Sequence, residues 1–423
     1  NRYLFEMNVR RDGSSRLPKA NRYATFPSFS GGWIISNESF MENIDLLNSL
    51  KLRASWGKLG NQEIGNYVYT ATLSSQGGYY FGDTKYIGMT QSKIANENIK
   101  WETTAITDFG LDVSFWRNRI SATFDWYEKM TSDILMQLSM PSIYLGSLSA
   151  PYAPYQNAGK VRNRGWELAV NYNDSKEDFS WEAGFSLSGV KNEIIDMKGI
   201  ENISGFLINR EGEAINSFYG LKSLGIYRTQ EDLDRVNANG NTIKQRGAVP
   251  QLGDIMYQDV NNDGDITDAD RVIIGNTFPD LQYSFNFGLS YKNISFNTFW
   301  QGLAGIYRYN WEETTISNGG NRTTRWLDRY SANNINSSMP RLGGAINDEN
   351  SSFWLSKSDY LRLKSLELGY SFTQSFLRKF GIDNCRIYLA GSNLLTFTPL
   401  KNYDPEKTGS DSRNDVHPNV KTY

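Results

Sequence analysis

Apolar and polar residues alternate with a period of two along much of this chain, and no other feature constrains its fold as strongly. Phe109, Leu111, Val113 and Phe115, for example, are separated by glycine or polar residues. Because successive side chains of a β-strand point to opposite faces, this pattern predicts a strand with one apolar face. The pattern recurs in the segments 3–10, 29–35, 50–56, 108–115, 120–126, 166–172, 181–187, 283–291, 294–300, 361–370 and 385–389. We therefore predict an all-β, antiparallel protein with about eleven strands of roughly 8–11 residues each.

The alternation changes phase within one of these strands. Leu361 and Leu363 occupy odd positions, whereas Leu366 and Leu368 occupy even positions. One inserted residue restores the facing of the side chains, so we predict a β-bulge near Ser365.

The connections between the predicted strands alternate between short and long. Short turns are expected at 117–118, 173–178 and 292–293, and moderate connections at 37–49 and 372–383. The long connections cover 60–105, 130–163, 190–281 and 302–358. When antiparallel strands pair in chain order, alternate connections lie at the same end of the sheet. One end should therefore carry tight turns and the other end large loops.

Alternation fits both a soluble β-sandwich and a transmembrane β-barrel, because each has one apolar face. The strand lengths suit a tilted crossing of a bilayer, and the loop asymmetry is typical of outer-membrane barrels. Aromatic residues also lie near the predicted strand ends, at Tyr3, Phe115, Trp126, Trp166, Tyr172, Trp181, Tyr291 and Trp300. These features favour a transmembrane antiparallel barrel. An odd number of about eleven strands does not close such a barrel, so we expect this chain to supply roughly half of a larger one.

The composition argues against several classes of protein. Lys and Arg number 44 and Asp and Glu number 46, so the net charge of −2 does not give the basic surface of a nucleic-acid-binding protein. The sequence has one cysteine, Cys385, and one histidine, His417, which excludes a disulfide framework and a Ser-His-Asp triad. With no acid, base or nucleophile constellation in the sequence, we do not expect an enzyme.

The most specific local motif reads D-x-N-x-D-G-x-I-x-x-x-D and lies in an acidic loop within 250–275. Calcium binds several oxygen ligands at fixed spacing along such a loop, and this spacing makes calcium the candidate cofactor. The predicted ligands are the side chains of Asp259, Asn261, Asp263 and Asp270 and the backbone carbonyl of Asp265. The alternative is an acidic, turn-rich loop without a metal, and the spacing alone leaves both open.

Within this motif, Gly264 is expected to make the sharp turn and Ile266 to anchor the loop. The last ligand, Asp270, replaces the usual glutamate, so coordination can be looser or shared with Asp268. A metal here would clamp a loop rather than perform chemistry.

Side chains in the long loops suggest a substrate surface. Aromatic rings can stack on sugars, and the candidate substrate-binding residues are Tyr307, Tyr309, Trp311 and Trp326. Packing among the loops is the alternative, and we favour it for any single ring because large loops need cores of their own. The basic residues Arg322, Arg325, Arg329 and Arg341 could bind carboxylates, or could equally form surface salt bridges.

Several strings, taken in order, give the chain a family resemblance. They are RRDGSSR at 10–16, FPS at 26–28, NESFM at 37–41, LKLRASWG at 50–57, GNQ at 60–62, NENIKWET at 96–103, NAGKVRN at 157–163, RVIIGN at 271–276, SDYLRLK at 358–364, NLLTFT at 393–398 and YDPE at 403–406. Together they resemble the C-terminal half of the SusC/RagA family of TonB-dependent outer-membrane transporters of Bacteroidota. The resemblance covers residues 1 to about 406, and its specificity comes from the number and order of the strings.

The resemblance implies a 22-stranded barrel, of which the whole segment 1–423 would be the C-terminal portion. The family's plug domain, TonB box and closing strand are not visible in this sequence. Family members import oligosaccharides, or peptides in the RagA branch, across the outer membrane. They work with a SusD-like surface lipoprotein as a lid and draw energy from the TonB–ExbB–ExbD complex. The long loops would then contact this lid.

Two alternatives to active import stay open at the level of sequence. One is a passive porin, which the missing plug region would distinguish from a transporter. The other is a glycan-binding surface β protein with no transport role, which would not depend on detergent. The sequence leaves the cargo undecided, because loop aromatics suit sugars and loop arginines suit peptide carboxylates.

Overall fold

The period-two segments form long antiparallel strands in the computed structural model of the chain. It describes residues 1–137, 154–314, 323–344, 346–373, 378–401, 403–406 and 419–423. These residues divide into two units, one of Asn1–Asn202 with Arg210–Glu213 and the other of Ile203–Asn209 with Ala214–Tyr423. In the part of the chain that is described, helices are short, and none has the length and apolar character needed to cross a membrane.

The first unit is built from an antiparallel sheet and a separate hairpin. Its strands are β1 (Tyr3–Gly13), β2 (Tyr23–Ile34), β3 (Leu47–Asn61), β4 (Thr72–Phe81), β5 (Thr84–Lys93), β6 (Glu102–Phe115), β7 (Ile120–Gln137), β8 (Tyr155–Lys176) and β9 (Phe179–Asp196). The sheet order is β1-β2-β3-β6-β7-β8-β9, while β4 pairs only with β5. Short 3₁₀ turns lie at Lys19–Asn21, Ile35–Asn37 and Ser39–Met41.

The two faces of this sheet differ as the alternation predicts. On one face, Phe109 of β6 lies opposite Trp126 of β7 with ring centroids 6.0 Å apart, and their side chains are 52% and 38% exposed. On the other face, the Arg53 guanidinium donates to Asp112 (2.8 and 3.0 Å) and Asp125 (2.8 Å). A face of exposed large apolar rings backed by a face of ion pairs is the arrangement of a barrel wall between lipid and a polar interior.

Gly110 lies between Arg53 and Asp125 on the charged face. A Cβ atom at Gly110 would come within 2.5 Å of the Arg53 guanidinium and 2.5 Å of an Asp125 carboxylate oxygen. The missing side chain therefore makes room for the ion pair that crosses the strand.

Several strands are much longer than the 8–11 residues predicted, and that prediction is wrong for them. β7 and β9 have 18 residues each and β8 has 22. About 9–11 residues are enough for a tilted crossing of the bilayer. Backbone pairing continues beyond the apolar stripe because the ladder needs amides and carbonyls, not apolar side chains. The described parts of the predicted loop 130–163 are therefore almost entirely strand, at 130–137 and 155–163, whereas 138–153 lies outside the described residues.

Two of the aromatic residues that were predicted near strand ends lie elsewhere because the strands are longer. Trp126 and Trp166 face each other across β7 and β8, well inside both strands instead of at their ends. Trp126 lies six positions after Ile120, the first residue of β7, which is about 20 Å along the strand. A tilted crossing takes about 9–11 residues, so the prediction that these two rings lie at strand ends is wrong.

The second unit combines four long strands with a large loop region. Its elements are β10 (Asn202–Ser204), β11 (Leu207–Asn209), β12 (Ser217–Gly220), β13 (Ser223–Ile226), α1 (Gln230–Leu233), β14 (Lys244–Gln245), β15 (Ile255–Tyr257), β16 (Asp265–Ile266), β17 (Val272–Gly275), β18 (Leu281–Tyr291), β19 (Ile294–Ala304), β20 (Tyr307–Tyr309), α2 (Trp311–Thr314), β21 (Leu355–Lys357), β22 (Tyr360–Ser371) and β23 (Arg386–Phe397). Short 3₁₀ turns lie at Asp268–Asp270, Thr324–Asp328, Ser352–Trp354 and Arg378–Phe380. The long strands pair in the order β18-β19-β22-β23.

The predicted bulge is confirmed in β22. Phe299 of β19 pairs with Ser365, whereas the next residue, Trp300, pairs with Leu363. Lys364 is therefore the inserted residue, and it returns the later leucines to the face that Leu361 and Leu363 occupy. With four long strands here and seven in the sheet of the first unit, the described residues also confirm the predicted count of about eleven.

Each unit has its own apolar core. In the first unit, Leu17, Phe26, Ile64, Val68, Ile99 and Trp101 form a buried cluster. In the second unit, the core consists of Phe206, Phe218, Leu221, Ile243, Ile255, Tyr257, Ile266, Tyr309, Trp326, Met339, Ile346 and Trp354. The second core contains residues of both 190–281 and 302–358, so these two loops fold together instead of extending separately.

Candidate functional site

The acidic loop lies between β15 and β17 of the second unit. Its first residue, Asp259, is 7% exposed. The Oδ2 atom of Asp259 accepts hydrogen bonds from the Gly264 amide (2.9 Å) and from the Asn237 side chain (2.8 Å). Gly264 has φ of +91°, as the sharp turn of the motif requires. The carboxylate of Asp259 therefore points into the loop that it begins.

Asp270, the last residue of the motif, is fully buried and holds the loop by its backbone. Its Oδ1 accepts from the amides of Val260 (2.8 Å) and Asn261 (3.3 Å), and its Oδ2 accepts from the amide of Thr267 (2.8 Å). Thr267 and Asp270 also form a capping box around the 3₁₀ turn Asp268–Asp270. Asp270 thus connects both ends of the loop through three backbone amides.

The middle of the motif is more exposed. The Asn261 side chain donates to Asp263 Oδ2 (2.9 Å), while its own oxygen accepts from the Asp263 amide (2.9 Å). Asp263 Oδ1 accepts from the Asp265 amide (2.8 Å), and the Asp265 carboxylate accepts from the Gly247 amide (2.9 Å). Within the described ranges, no three acidic, histidine or cysteine side chains form a group ready to hold a metal. The carboxylates of the motif are instead engaged mainly with amides.

Asp268, which we considered as a shared ligand, belongs to a neighbouring charge network. Arg246 pairs with Asp268 (2.9 Å) and Glu349 (2.7 Å), and Arg271 pairs with the same two carboxylates at 3.1 and 2.8 Å. The two arginines therefore compensate the charge of Asp268 and connect this loop with the 302–358 loop.

Two of the four aromatic substrate candidates lie in the core of the second unit. The Tyr309 ring stacks on Phe206 with centroids 4.2 Å apart, and Trp326 stacks on Trp354 at 6.1 Å. Both are buried, so packing among the loops accounts for them. Tyr307 is partly buried against the same core. The side chain of Trp311 lies outside the described residues.

Within the described parts of the predicted long loops, most of the exposed aromatic residues belong to the β4–β5 hairpin of the first unit. Tyr79 and Tyr80 are exposed, and the ring of Tyr79 packs edge-on against Phe81 with centroids 5.0 Å apart. Isolated two-stranded hairpins are marginally stable in water, so such a ribbon gains from a partner surface.

The loop arginines have local partners instead of forming one anion site. Arg341 pairs with the buried Asp254 at 2.6 Å, Arg325 lies 3.8 Å from the buried Glu313, and Arg329 donates to the Trp326 carbonyl at 3.3 Å. The fourth residue of the predicted cluster, Arg322, lies outside the described residues. The salt-bridge alternative accounts for the first two of these contacts.

A buried ion cluster was missed by sequence reasoning. Arg362 of β22, only 5% exposed, pairs with Asp404 at 2.9 Å and with Glu406 at 3.0 Å, and Lys364 pairs with Glu406 at 3.1 Å. Burial alone would raise the pKa of Asp404. Hydrogen bonds from the Asn419 and Glu406 amides, together with Arg362, hold that pKa below its ordinary value. The only signal in the sequence was that both strings, SDYLRLK and YDPE, belong to the family pattern.

Comparison with known proteins extends this picture. Residues 1–394 match the family model described as "TonB dependent receptor-like, beta-barrel". The chain is 34% identical over 447 residues to "TonB-dependent receptor P3" of Formosa agariphila, covering 100% of this chain and 43% of that protein. It is 30% identical over 441 residues to "TonB-dependent receptor SusC" of Bacteroides thetaiotaomicron, covering 97% of this chain and 41% of that protein. The chain thus spans less than half the length of these relatives.

Solved structures of the RagAB peptide importer share the same fold. The structure of the "closed-closed" state has a TM-score of 0.78 at 27% identity, over 96% of this chain and 44% of that chain. The "open-open" state has a TM-score of 0.79 at 26% identity, over 96% of this chain and 43% of that chain.

Proposed function

Because the chain belongs to the TonB-dependent receptor-like β-barrel family, we propose that it forms part of the wall of an outer-membrane importer for oligosaccharides or peptides. The importer takes up its cargo with a SusD-like surface lipoprotein as a lid and draws energy through TonB, ExbB and ExbD. The segment supplies the C-terminal half of the barrel wall and the large loops on one side of it. The relatives named above are receptors and importers, so the proposal includes no catalytic step.

The observation that carries this proposal is the two-faced sheet of the first unit. Phe109, Phe124 and Trp126 are exposed on one face, whereas Arg53, Asp112 and Asp125 form ion pairs on the other. A soluble protein would bury such an apolar stripe, because large exposed apolar patches are rare on monomers. Lipid is the solvent that such a stripe fits, and the polar face suits a water-filled lumen.

The large loops of the second unit supply the surface for the lid. Leu327 and Ile335 are 80% and 52% exposed although they lie in a loop with a well-packed core. Scattered apolar side chains are normal at a protein surface, so these two residues serve as the positions at which the proposed lid contact is tested. Supporting evidence is that the related RagAB importer adopts states described as closed-closed and open-open. We therefore assign lid contacts to 302–358 first, and then to 60–105, 190–281 and the described part of 130–163.

We base our choice of cargo class on the loop side chains that remain exposed. Exposed tyrosines of the β4–β5 hairpin offer flat rings with polar edges, which suit sugar faces. The loop arginines of the second unit are engaged in local contacts, as at Arg341 with Asp254, which weakens the case for peptide carboxylates there. We place oligosaccharides first and peptides second.

The transport proposal is tested with the full-length protein in its own outer membrane. Uptake of fluorescent oligosaccharides and of peptides is measured in a deletion strain complemented with the full-length gene, with and without TonB. We expect uptake of one cargo class that disappears without TonB. Uptake that persists without TonB identifies a porin, and a full-length protein that stays monomeric without detergent identifies a soluble glycan-binding module.

The lid contact is tested by adding charge to the exposed apolar residues. Leu327→Asp and Ile335→Asp should each reduce co-purification of the surface lipoprotein with the full-length transporter, since a carboxylate would be desolvated in the interface. Ala332→Asp is the matched control, because it places the same charge at another exposed position of this loop. Unchanged recovery of the lipoprotein with both the Leu327→Asp and the Ile335→Asp variants would remove these two residues from the interface.

A further inference from the structure

One carboxylate oxygen of the acidic loop is buried without a partner. Asp259 Oδ1 has essentially no contact with solvent and accepts no hydrogen bond from the described residues. Its sister atom Oδ2 is fully engaged by the Gly264 amide and the Asn237 side chain. Buried carboxylate oxygens are normally satisfied by donors or by a cation. The orphaned oxygen therefore points to a ligand inside the loop.

The surrounding atoms are oxygens at the spacing of a calcium loop. Asn261 Oδ1 and Asp263 Oδ2 are exposed and bond mainly within the pair, so both can turn toward a cation. In the short parallel pair of β14 and β16, the carbonyls of Gly264 and Ile266 accept from Lys244 (2.9 Å) and Arg246 (3.1 Å). Carbonyls alternate along a strand, so the carbonyl of Asp265 faces away from β14 and is not engaged in this pair.

We propose that this loop binds one Ca²⁺ through Asp259 Oδ1, Asn261, Asp263 and the carbonyl of Asp265, with water completing the shell. Asp270 acts as a positioning residue, because its two oxygens hold three backbone amides. The bond from Gly264 to Asp259 Oδ2 leaves Oδ1 as the ligand atom. Calcium suits this set better than Mg²⁺, because it accepts many oxygens in flexible geometry, whereas Mg²⁺ demands an octahedron. The inference is independent of the transport role.

The bound ion would hold the loop on the core of the second unit. Ile266 is fully buried in that core beside Ile255 and Tyr257, and it directly follows the carbonyl ligand Asp265. Binding energy at the ligands therefore favours the conformation that keeps Ile266 packed. The loop should become more resistant to proteases when calcium is present.

The test uses the full-length transporter in detergent, stripped with EDTA and titrated with CaCl₂ by calorimetry. Terbium luminescence excited through nearby tyrosine gives an independent readout. We expect one site per chain, with a dissociation constant at or below about 10⁻³ M, and at least tenfold weaker binding in Asp259→Asn and Asp263→Asn. Asp263 is exposed, so its variant keeps the proposal testable even where Asp259→Asn fails to fold.

Asp268→Asn is the matched control, because it removes the same charge from the same loop at a residue paired with Arg246 and Arg271. Its calcium affinity should stay within about threefold of the parent, since loss of a screened surface charge has a small effect. Limited proteolysis between 250 and 275 should slow on adding calcium in the parent and in Asp268→Asn, but not in Asp263→Asn. A parent protein that binds no calcium at about 10 mM, well above the weakest sites of this type, overturns the proposal. Equal weakening by Asp268→Asn overturns the ligand assignment.

Discussion

Replacing Arg362 with methionine should open the segment around residues 403–406. Methionine keeps much of the side-chain volume but leaves Asp404 and Glu406 without their shared cation. Removing one partner of a buried ion pair costs about 3–5 kcal/mol. Asp404 still accepts from the Asn419 and Glu406 amides, so we expect the lower end of that range, about 3 kcal/mol. Since 1.36 kcal/mol is a factor of ten, the local opening constant should rise about a hundredfold.

Hydrogen exchange measured by mass spectrometry on the full-length protein in detergent reads this opening locally. A local measurement is needed because large multidomain proteins often unfold irreversibly, which makes a global free energy undefined. Lys364→Met is the matched control, because Lys364 is a 26% exposed partner of the same Glu406. Its effect should be smaller, about tenfold or less, because Glu406 keeps Arg362 as a partner at 3.0 Å and no buried charge is left unpaired. Protection in Arg362→Met within threefold of the parent, or equal losses in both variants, would refute the assignment of Arg362 as the buried charge that holds this segment.

Three further predictions concern separate parts of the molecule. Folding lowers the pKa of Asp404, so the carboxylate stabilises the folded state above its unfolded pKa of about 3.9, and this stabilisation is lost as the pH falls below that value. Amide exchange of 403–406, corrected for its intrinsic pH dependence, should therefore become faster below about pH 3.9. Trp354→Ala should destabilise the loop core by about 3–5 kcal/mol, seen as faster proteolysis of 302–358, because the ring is fully buried and its indole donates to the Asn347 carbonyl at 3.0 Å. Gly110→Val should lower the temperature at which the full-length barrel unfolds on SDS gels, as overpacking costs about 1–3 kcal/mol, while Gly31→Ala should leave it unchanged because its Cβ meets no atom within 4 Å.

The parts of the fold that depend on local sequence were predictable. The alternation within a strand is enough to show which of its faces is apolar. The eleven long strands could therefore be predicted, and the bulge at Lys364 follows from the positions of Leu363 and Leu366. Strand ends were not predictable, because β8 continues through Asn163 and Arg164, where polar residues occupy both faces. The backbone amides and carbonyls of these residues pair with the neighbouring strands, and this pairing leaves no pattern in the side chains.

The contacts between distant residues were not predictable from the sequence. Arg362 and Asp404 are 42 residues apart, and nothing in either string indicates that they meet. The acidic loop could be predicted in part. Its spacing predicted the turn at Gly264 and the anchoring of Ile266, both of which the structure confirms. The engagement of Asp270 with three amides was not visible, because backbone donors have no sequence signature.

The loops need a core of their own because the strands of the barrel wall cannot supply one. A barrel strand gives its apolar face to lipid, so that face cannot stabilise a loop outside the membrane. Loops as long as 190–281 and 302–358 must therefore bury apolar residues of their own, and Phe206 stacked on Tyr309 is one contact that joins them. Rings used in this way are covered on their faces and cannot bind cargo. In proteins of this architecture, a buried loop aromatic argues for stability, and cargo contacts should be sought among exposed side chains such as Tyr79 and Tyr80.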